Sequence, residues 1–198
     1  SKKSNHGVSV VVIAEKDGKM ERDYDYSSKV FGKDLKSSKL IGIKAAENTL
    51  ARIGASKPVT GKYPVVFGPR VAKSISGHIA SAINGSAIAR KTSFLKDMMN
   101  KQIISSEVNI VDNPFLKRGL GSRLFDGEGL GCSERLMVKD GILQGWLLDL
   151  SSAKQLNMKP TGNARRGING PPSPSTSNFM IMPGNITVSY THLRAHET

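Results

Sequence analysis

The chain has four histidines and one cysteine, and two of the histidines have the spacing of a ligand pair. His192 and His196 lie four residues apart, and Glu197 follows directly. Residues four apart share one face of a helix, so this spacing is typical of a pair of zinc ligands. The other histidines, His6 and His78, are far apart in the sequence. Spacing alone therefore predicts one candidate ligand pair, at the C-terminal end.

The single cysteine, Cys132, lies in the glycine-rich stretch 129–133. No histidine is close to it in sequence to activate the thiol, so we expect a structural role. One cysteine forms neither an internal disulfide nor a multi-cysteine metal site, which is typical of proteins from reducing compartments. We therefore expect a cytoplasmic protein.

Basic residues outnumber acidic residues by 29 to 16, which gives the 198-residue chain a formal net charge of +13. Such a charge attracts nucleic acid or an acidic protein partner. Aromatic residues make up only 6% of the chain, whereas single-strand binding needs interleaved rings on which bases stack. We expect most basic side chains to lie on solvated faces. The basic doublets are Lys2-Lys3, Arg90-Lys91, Lys117-Arg118 and Arg165-Arg166.

A β-hairpin followed by a helix is predicted for the first part of the chain. Residues 8–13 are largely β-branched, and Asp17-Gly18 supplies a turn before a second strand over residues 19–26. Apolar residues then recur at three- and four-residue spacing from Leu40 to Ile53, and Gly54 follows. This pattern predicts an amphipathic helix with a glycine stop.

Strands and helices alternate in the rest of the chain. We predict a buried strand over residues 63–67, a helix from Pro69 to Ile83, a helical continuation over 93–104, a strand over 108–111, a hairpin around Asp140-Gly141 and a loop over 162–177. The elements indicate a mixed α/β (α+β) fold with a domain boundary near residue 60. No run of 18 apolar residues indicates a membrane span.

Several short motifs follow one another in an order that is specific, although each motif alone is common in loops. They are residues 65–72, Gly77-His78, residues 90–95, 101–103, 118–120, 125–129, 140–144, 159–162 with Arg165-Arg166, and 182–184. This order resembles the PmbA branch of the TldD/PmbA family of zinc metalloproteases.

The resemblance implies a domain organisation and a partner. Residues 1–60 resemble the end of the family's N-terminal α/β domain, and residues 61–188 resemble its β-rich C-terminal domain, so both domains are expected to be incomplete. A PmbA-type chain is expected to pair with a TldD-type catalytic subunit in a cytosolic peptidase. Zinc is expected in that partner, and no catalytic residue, metal ligand or cofactor is expected in this chain.

The catalytic branch of the family carries His-Glu-x-x-x-His on a helix, where two imidazoles hold zinc and the glutamate acts as general base. Gly77, His78 and Ala82 occupy these three places if the motif begins at Gly77. His78, Ile79 and Ile83 occupy them if it begins one residue later. Neither register retains both ligands and the glutamate, so the motif is degenerate. We expect His78 to pack at a subunit or domain contact.

The last ten residues, 189–198, depart abruptly from the family pattern. They resemble a translated sequencing adapter, so we expect them to be a non-native tail. The pair formed by His192 and His196 is therefore not expected to bind metal.

Two functions follow from these patterns. The first is a partner subunit that supports the catalytic subunit and grips an extended peptide through exposed strand edges. Arg165 and Arg166, near the loop, are its candidate contacts to substrate or partner. The alternative is a basic nucleic-acid-binding or gyrase-modulating module, whose affinity would fall steeply with salt. A self-sufficient hydrolase is not expected, because no nucleophile, base and orienting group are assembled in the sequence.

Overall fold

The computed structural model of the protein describes residues 4–184, and these form two compact units. The first unit runs to residue 66 and includes residues 117–120, and the second comprises residues 67–116 and the chain from residue 121 onwards. Helices and antiparallel sheets occur together, which confirms the predicted mixed α/β class. The predicted tail, residues 189–198, lies outside the described residues.

The first unit opens with the predicted hairpin. Strand β1 (His6–Lys16) pairs in antiparallel register with strand β2 (Lys19–Lys29). Asp17 and Gly18 form the turn with φ of 53° and 72°, and two positive φ angles give the twist that matches paired strands. Both strands are longer than the sequence pattern predicts.

The predicted helix α1 (Ser38–Leu50) covers one face of this hairpin. Ile41 and Ala45 of this helix are almost completely buried. The buried Thr49 hydroxyl lies 2.8 Å from the carbonyl of Ala45 and 3.3 Å from the carbonyl of Val12 in β1, which joins the helix to the sheet. The segment 117–120 is held in this unit by Arg118, whose guanidinium Nη1 lies 2.9 Å from both carboxylate oxygens of Asp34.

The second unit contains three helices, a four-stranded antiparallel sheet and a two-stranded ribbon among its described residues. The helices are α2 (Pro69–Ala82), α3 (Gly85–Ala89) and α4 (Leu150–Gln155). The sheet has the order β5-β4-β3-β8, from β3 (Ile110–Asp112), β4 (Arg135–Lys139), β5 (Ile142–Leu143) and β8 (Phe179–Ile181). The ribbon pairs β6 (Ala164–Arg165) with β7 (Ser173–Pro174).

The described residues of the second unit form a hydrophobic core to which the sheet and the helices contribute. The end of α2, the strands β3 to β5 and the segment after β5 all contribute to it. Its largest fully buried side chains are Ile83, Ile110, Met137, Val138, Leu143, Leu147 and Leu148. Trp146, the one tryptophan of the chain, is 4% exposed within this core.

Three sequence-based predictions differ from the structure. Residues 63–67 form no strand and are exposed, because none of the described strands pairs with them. Residues 93–104 form turns in place of a helix, because their backbone bonds go to distant residues: Asn100 N–H donates to the carbonyl of Leu143, and Ile103 N–H to that of Gly141. The predicted loop 162–177 contains the paired strands β6 and β7.

Helix α4 depends on a buried cap at its N-terminus. Asp149 is 2% exposed, and its carboxylate accepts hydrogen bonds from the Ser152 N–H at 2.7 Å and the Ser152 hydroxyl at 2.5 Å. We predict that Asp149→Ala lowers the free energy of unfolding by about 2 kcal/mol, since the helix loses its cap. Urea denaturation followed by Trp146 fluorescence measures this. Ser151→Ala, on the exposed side of the same turn, should cost under about 0.5 kcal/mol; equal losses in both variants would contradict a specific capping role.

Candidate functional site

Helix α2 carries the three positions of the degenerate motif. Pro69 stands in its first turn, where a missing N–H costs no helical bond. Gly77 faces open space, since a Cβ built there meets no atom within 4 Å. His78 is exposed, whereas Ala82 is only 6% exposed and belongs to the core.

The alternative register places the motif even deeper in the protein. Ile79 is half-buried against the core, and Ile83 is fully buried within it. The carbonyl of Ile83 accepts a hydrogen bond from the N–H of Leu147, so this turn is also fixed by its backbone. The position of the second imidazole is thus apolar and enclosed in either register.

These residues do not fit a zinc site on α2. Zinc needs three or four nitrogen, sulfur or oxygen ligands around one point, and neither Gly77, Ala82 nor Ile83 supplies one. Within residues 4–184, no group of three or more His, Cys, Asp or Glu side chains is placed to hold a metal ion. The predicted packing of the exposed His78 at a subunit or domain contact stays a prediction.

Arg165 lies on the ribbon formed by β6 and β7. The N–H of Ser175 donates to the carbonyl of Asn163 at 2.7 Å, and Ala164 stands opposite Pro174. Hydrogen-bonded and non-bonded pairs alternate along antiparallel strands, so the backbone groups of Ala164 point away from β7. Proline fits opposite Ala164 because that place needs no donor.

The outer edge of β6 is occupied by a loop that begins at Asp126. The Asp126 carboxylate, 5% exposed, accepts hydrogen bonds from the N–H groups of Glu128 and Leu130 through Oδ1, and from the N–H of Ala164 through Oδ2, at 2.9 to 3.0 Å. The N–H of Gly127 in turn donates to the carbonyl of Ala164 at 2.9 Å. Both the N–H and the carbonyl of Ala164, which point away from β7, are therefore hydrogen-bonded to this loop.

A second buried carboxylate holds the segment that leads into β6. Asp112 is 1% exposed at the end of β3. Its Oδ2 accepts from the side-chain amide of Asn163 at 2.9 Å, and its Oδ1 accepts from the N–H and the hydroxyl of Ser177 at 2.7 and 2.9 Å. Asp112 thus connects the central sheet to both ends of the 162–177 segment.

Cys132 makes two hydrogen bonds within the second unit, and its structural role stays a prediction. Its thiol donates to the carbonyl of Gly162 at 3.2 Å, and its backbone N–H donates to the carbonyl of Leu124 at 3.0 Å. Gly162 lies against the Gly131 backbone so closely that an added Cβ would be 2.5 Å from the Gly131 oxygen. The cysteine therefore helps to fix the start of the segment that leads to β6.

The structure links the end of α2 to the ribbon but does not join all predicted site residues. The side-chain amide of Asn84, which follows α2, donates to the carbonyl of Pro174 in β7 at 2.8 Å. Arg165 and Arg166 are both exposed beside this ribbon. No hydrogen bond or ion pair within residues 4–184 joins His78 to either arginine. Asp112 and Asp126 are not among the site residues predicted from the sequence, and only the pair Asp126-Gly127 indicates a carboxylate that organises a turn.

Comparison with known families shows the class of protein to which the chain belongs. Residues 60–195 match the model of the family described as PmbA/TldA metallopeptidase C-terminal domain. The chain belongs to the PmbA/TldD metallopeptidase family.

Particular relatives refine this placement. The chain is 42% identical over 161 residues to Metalloprotease PmbA of Escherichia coli O157:H7, covering 81% of this chain and 36% of that protein. It therefore spans little more than a third of the length of this curated relative.

Solved structures show the same fold. A protein from Bacteroides thetaiotaomicron, provisionally named as a modulator of DNA gyrase, has a TM-score of 0.81 and 29% identity, with 91% of this chain and 39% of that chain covered. TldE from Thermococcus kodakarensis has a TM-score of 0.67 at 16% identity, with 93% and 42% covered, and this likeness concerns the fold alone.

Proposed function

We propose that this chain belongs to a PmbA-type subunit that supports peptide proteolysis by a TldD-type partner without carrying the catalytic zinc. The zinc, the general base and the cleavage step are assigned to the partner subunit. The substrates are peptides or unfolded segments, and the assembly works in the cytoplasm. Among residues 4–184, none of the helices combines the length and apolar character that a membrane span requires.

One observation carries the proposal: the second-imidazole position on α2 is part of the core in both registers. Ala82 and Ile83 pack with Leu147 and Leu148, so this stretch of helix contributes to stability where a catalytic chain needs ligands. Residues that fill a core position are constrained by volume and polarity. A helix built in this way suits a scaffold better than a zinc site.

Strand edges supply a way for such a subunit to hold a peptide. In the sheet order β5-β4-β3-β8, strand β8 pairs with β3 on one side only among the described strands. An extended peptide that adds to a sheet edge is held by main-chain hydrogen bonds, and this mode tolerates varied side chains. Supporting proteolysis of diverse peptides is consistent with this geometry.

The alternative, a nucleic-acid-binding or gyrase-modulating module, is supported by the basic charge and by the provisional names of two similar proteins of known structure. No specific contact of the described residues favours it. Phosphate binding would release counterions and make affinity fall steeply with salt. Duplex and single-strand binding measured at 50 and at 200 mM salt discriminates the two functions, because the affinity of a nucleic-acid-binding protein falls by roughly 10³-fold or more between these concentrations.

The test uses the full-length protein and the TldD-type subunit of the same genome, purified separately and mixed. We predict zinc in the partner and peptidase activity that depends on the partner, with activity of the full-length protein alone at least about 100-fold below that of the mixture. Metal analysis of each purified subunit and a fluorogenic peptide assay measure these quantities.

A partner with its own zinc ligands mutated provides the control. The mixture should then lose its activity, while the present subunit still associates with the mutated partner in size-exclusion chromatography. Stoichiometric zinc together with cleavage by the present protein alone would refute the proposed division of labour.

A further inference from the structure

We propose that Asp126 is a positioning residue that holds strand β6 so that Arg165 and Arg166 bind a carboxylate of the peptide substrate. This inference rests on the proposed function and names the class of peptide that the subunit prefers. The peptide carries an acidic side chain near an apolar one.

Strand β6 is held in place at its outer edge. Asp126 accepts three backbone hydrogen bonds, and one of them comes from Ala164 in β6. A buried carboxylate that accepts several N–H groups fixes its loop and the strand it touches. Because the Gly127 N–H also binds the carbonyl of Ala164, the strand is fastened at two points.

The loop that contains Gly127 packs closely on the backbone of Arg165 and Arg166. A Cβ built on Gly127 would lie 2.8 Å from the N of Arg166 and 3.2 Å from the carbonyl carbon of Arg165. Only glycine permits this approach, so the loop lies flat against both arginines' main chain. The backbone from which the two guanidinium groups extend is therefore held in one place.

The side chains of Arg165 and Arg166 are exposed to solvent. Ala164 is fully buried, and successive side chains of a strand point to opposite faces, so Arg165 points to solvent. Arg166 follows the last residue of β6 and is exposed as well. Neither arginine has a hydrogen bond, ion pair or ring contact with another side chain within residues 4–184. The carboxylates of Asp112 and Asp126 are buried and accept hydrogen bonds from other groups, and that of Glu128 accepts from the N–H of Leu150.

A pair of exposed arginine side chains suits a carboxylate ligand. A guanidinium group binds a carboxylate through two parallel hydrogen bonds. Ile168 in the adjoining segment is completely exposed and offers an apolar contact. The sequence between Arg165 and Ser177 contains no aromatic ring, which disfavours the stacking of nucleic-acid bases. An acidic side chain next to an apolar one fits this surface best.

The test measures binding of decapeptides to the complex of the full-length protein with its TldD-type partner, with a chelator present to stop turnover. The peptides are neutral, and one glutamine at a time is replaced by glutamate. For at least one position we expect glutamate to lower the Kd about fivefold, since exposed pairs contribute modestly, and this preference should decrease at high salt. Fluorescence anisotropy supplies the Kd values.

Variants assign the effect to the proposed residues. Arg165→Ala with Arg166→Ala should abolish the preference for glutamate, so that the Kd of the glutamate peptide rises to that of the glutamine peptide measured with the same variant. Arg90→Ala with Lys159→Ala, which removes the same charge from exposed places in the same unit, should keep it. Asp126→Asn places an amide nitrogen against the Ala164 N–H, so that this hydrogen bond is lost. The preference for glutamate should then fall at least about twofold. A merely structural loss would instead weaken the binding of the glutamate and glutamine peptides equally.

A wild-type complex that binds glutamate and glutamine peptides alike at every position would overturn the inference, as would an unchanged preference in the double arginine variant. An unchanged preference in Asp126→Asn would overturn the positioning role. The outcome is separate from the fate of the proposed function, because zinc content and partner-dependent cleavage are measured without reference to peptide charge.

Discussion

Replacing Asp112 by alanine should destabilise the chain by about 3 kcal/mol or more. The carboxylate is almost fully buried and accepts hydrogen bonds from three donors, which belong to Asn163 and Ser177. Removing it leaves those donors buried without a partner, and each such group costs about 1 to 3 kcal/mol. Urea denaturation monitored by the fluorescence of the buried Trp146 measures the loss.

Asparagine at position 112 is the matched control. It keeps the shape of the side chain, and one oxygen remains to accept from Ser177. Its new amide group would face the Asn163 amide, which can turn over to present its oxygen. We therefore expect Asp112→Asn to retain at least about half of the stability that Asp112→Ala loses. A loss below about 1 kcal/mol in Asp112→Ala would mean that the three hydrogen bonds contribute little beyond what water provides.

Local patterns predicted the elements whose contacts are close in sequence. The first hairpin follows from β-branched residues and an Asp-Gly turn, and α1 and α2 follow from apolar spacing, because these signals act within a few residues. Residues 63–67 have the same composition as a buried strand but no partner among the described strands. Whether an apolar run is paired depends on distant segments, so composition could not decide it.

The candidate site was partly predictable for the same reason. The degenerate motif and the exposed arginine pair were found from the sequence, since residue types alone define them. Asp112 and Asp126 were missed because their donors come from residues 38 to 65 positions away in addition to local ones. An isolated aspartate in a sequence gives no sign that a distant backbone N–H will reach it.

Two Asp-Gly turns show how far identical dipeptides differ in their surroundings. Gly18 and Gly141 both close hairpins at positive φ, 72° and 75°. A Cβ on Gly18 would meet nothing within 4 Å, whereas a Cβ on Gly141 would lie 2.3 Å from the carbonyl oxygen of Ile104 and 2.7 Å from that of Ser105. The backbone conformation is shared, so the difference lies in packing alone.

We therefore predict that Gly141→Ala lowers the free energy of unfolding by about 3 kcal/mol or more. About 1 kcal/mol comes from the left-handed conformation, and the rest from displacing backbone that packs on the turn. Urea denaturation with Trp146 fluorescence again measures the change, because Trp146 lies in the same unit as Gly141.

Gly129→Ala separates the two contributions. Gly129 belongs to the same unit and has a φ of 86°, and a Cβ there meets no atom within 4 Å. It should cost only the conformational part, about 1 kcal/mol. Equal losses at Gly141 and Gly129 would show that the segment containing Ile104 moves aside freely. A larger loss at Gly141 would mean that the 93–104 segment does not move to make room for the added methyl group. The backbone hydrogen bonds from Asn100 to Leu143 and from Ile103 to Gly141 hold that segment against the second hairpin.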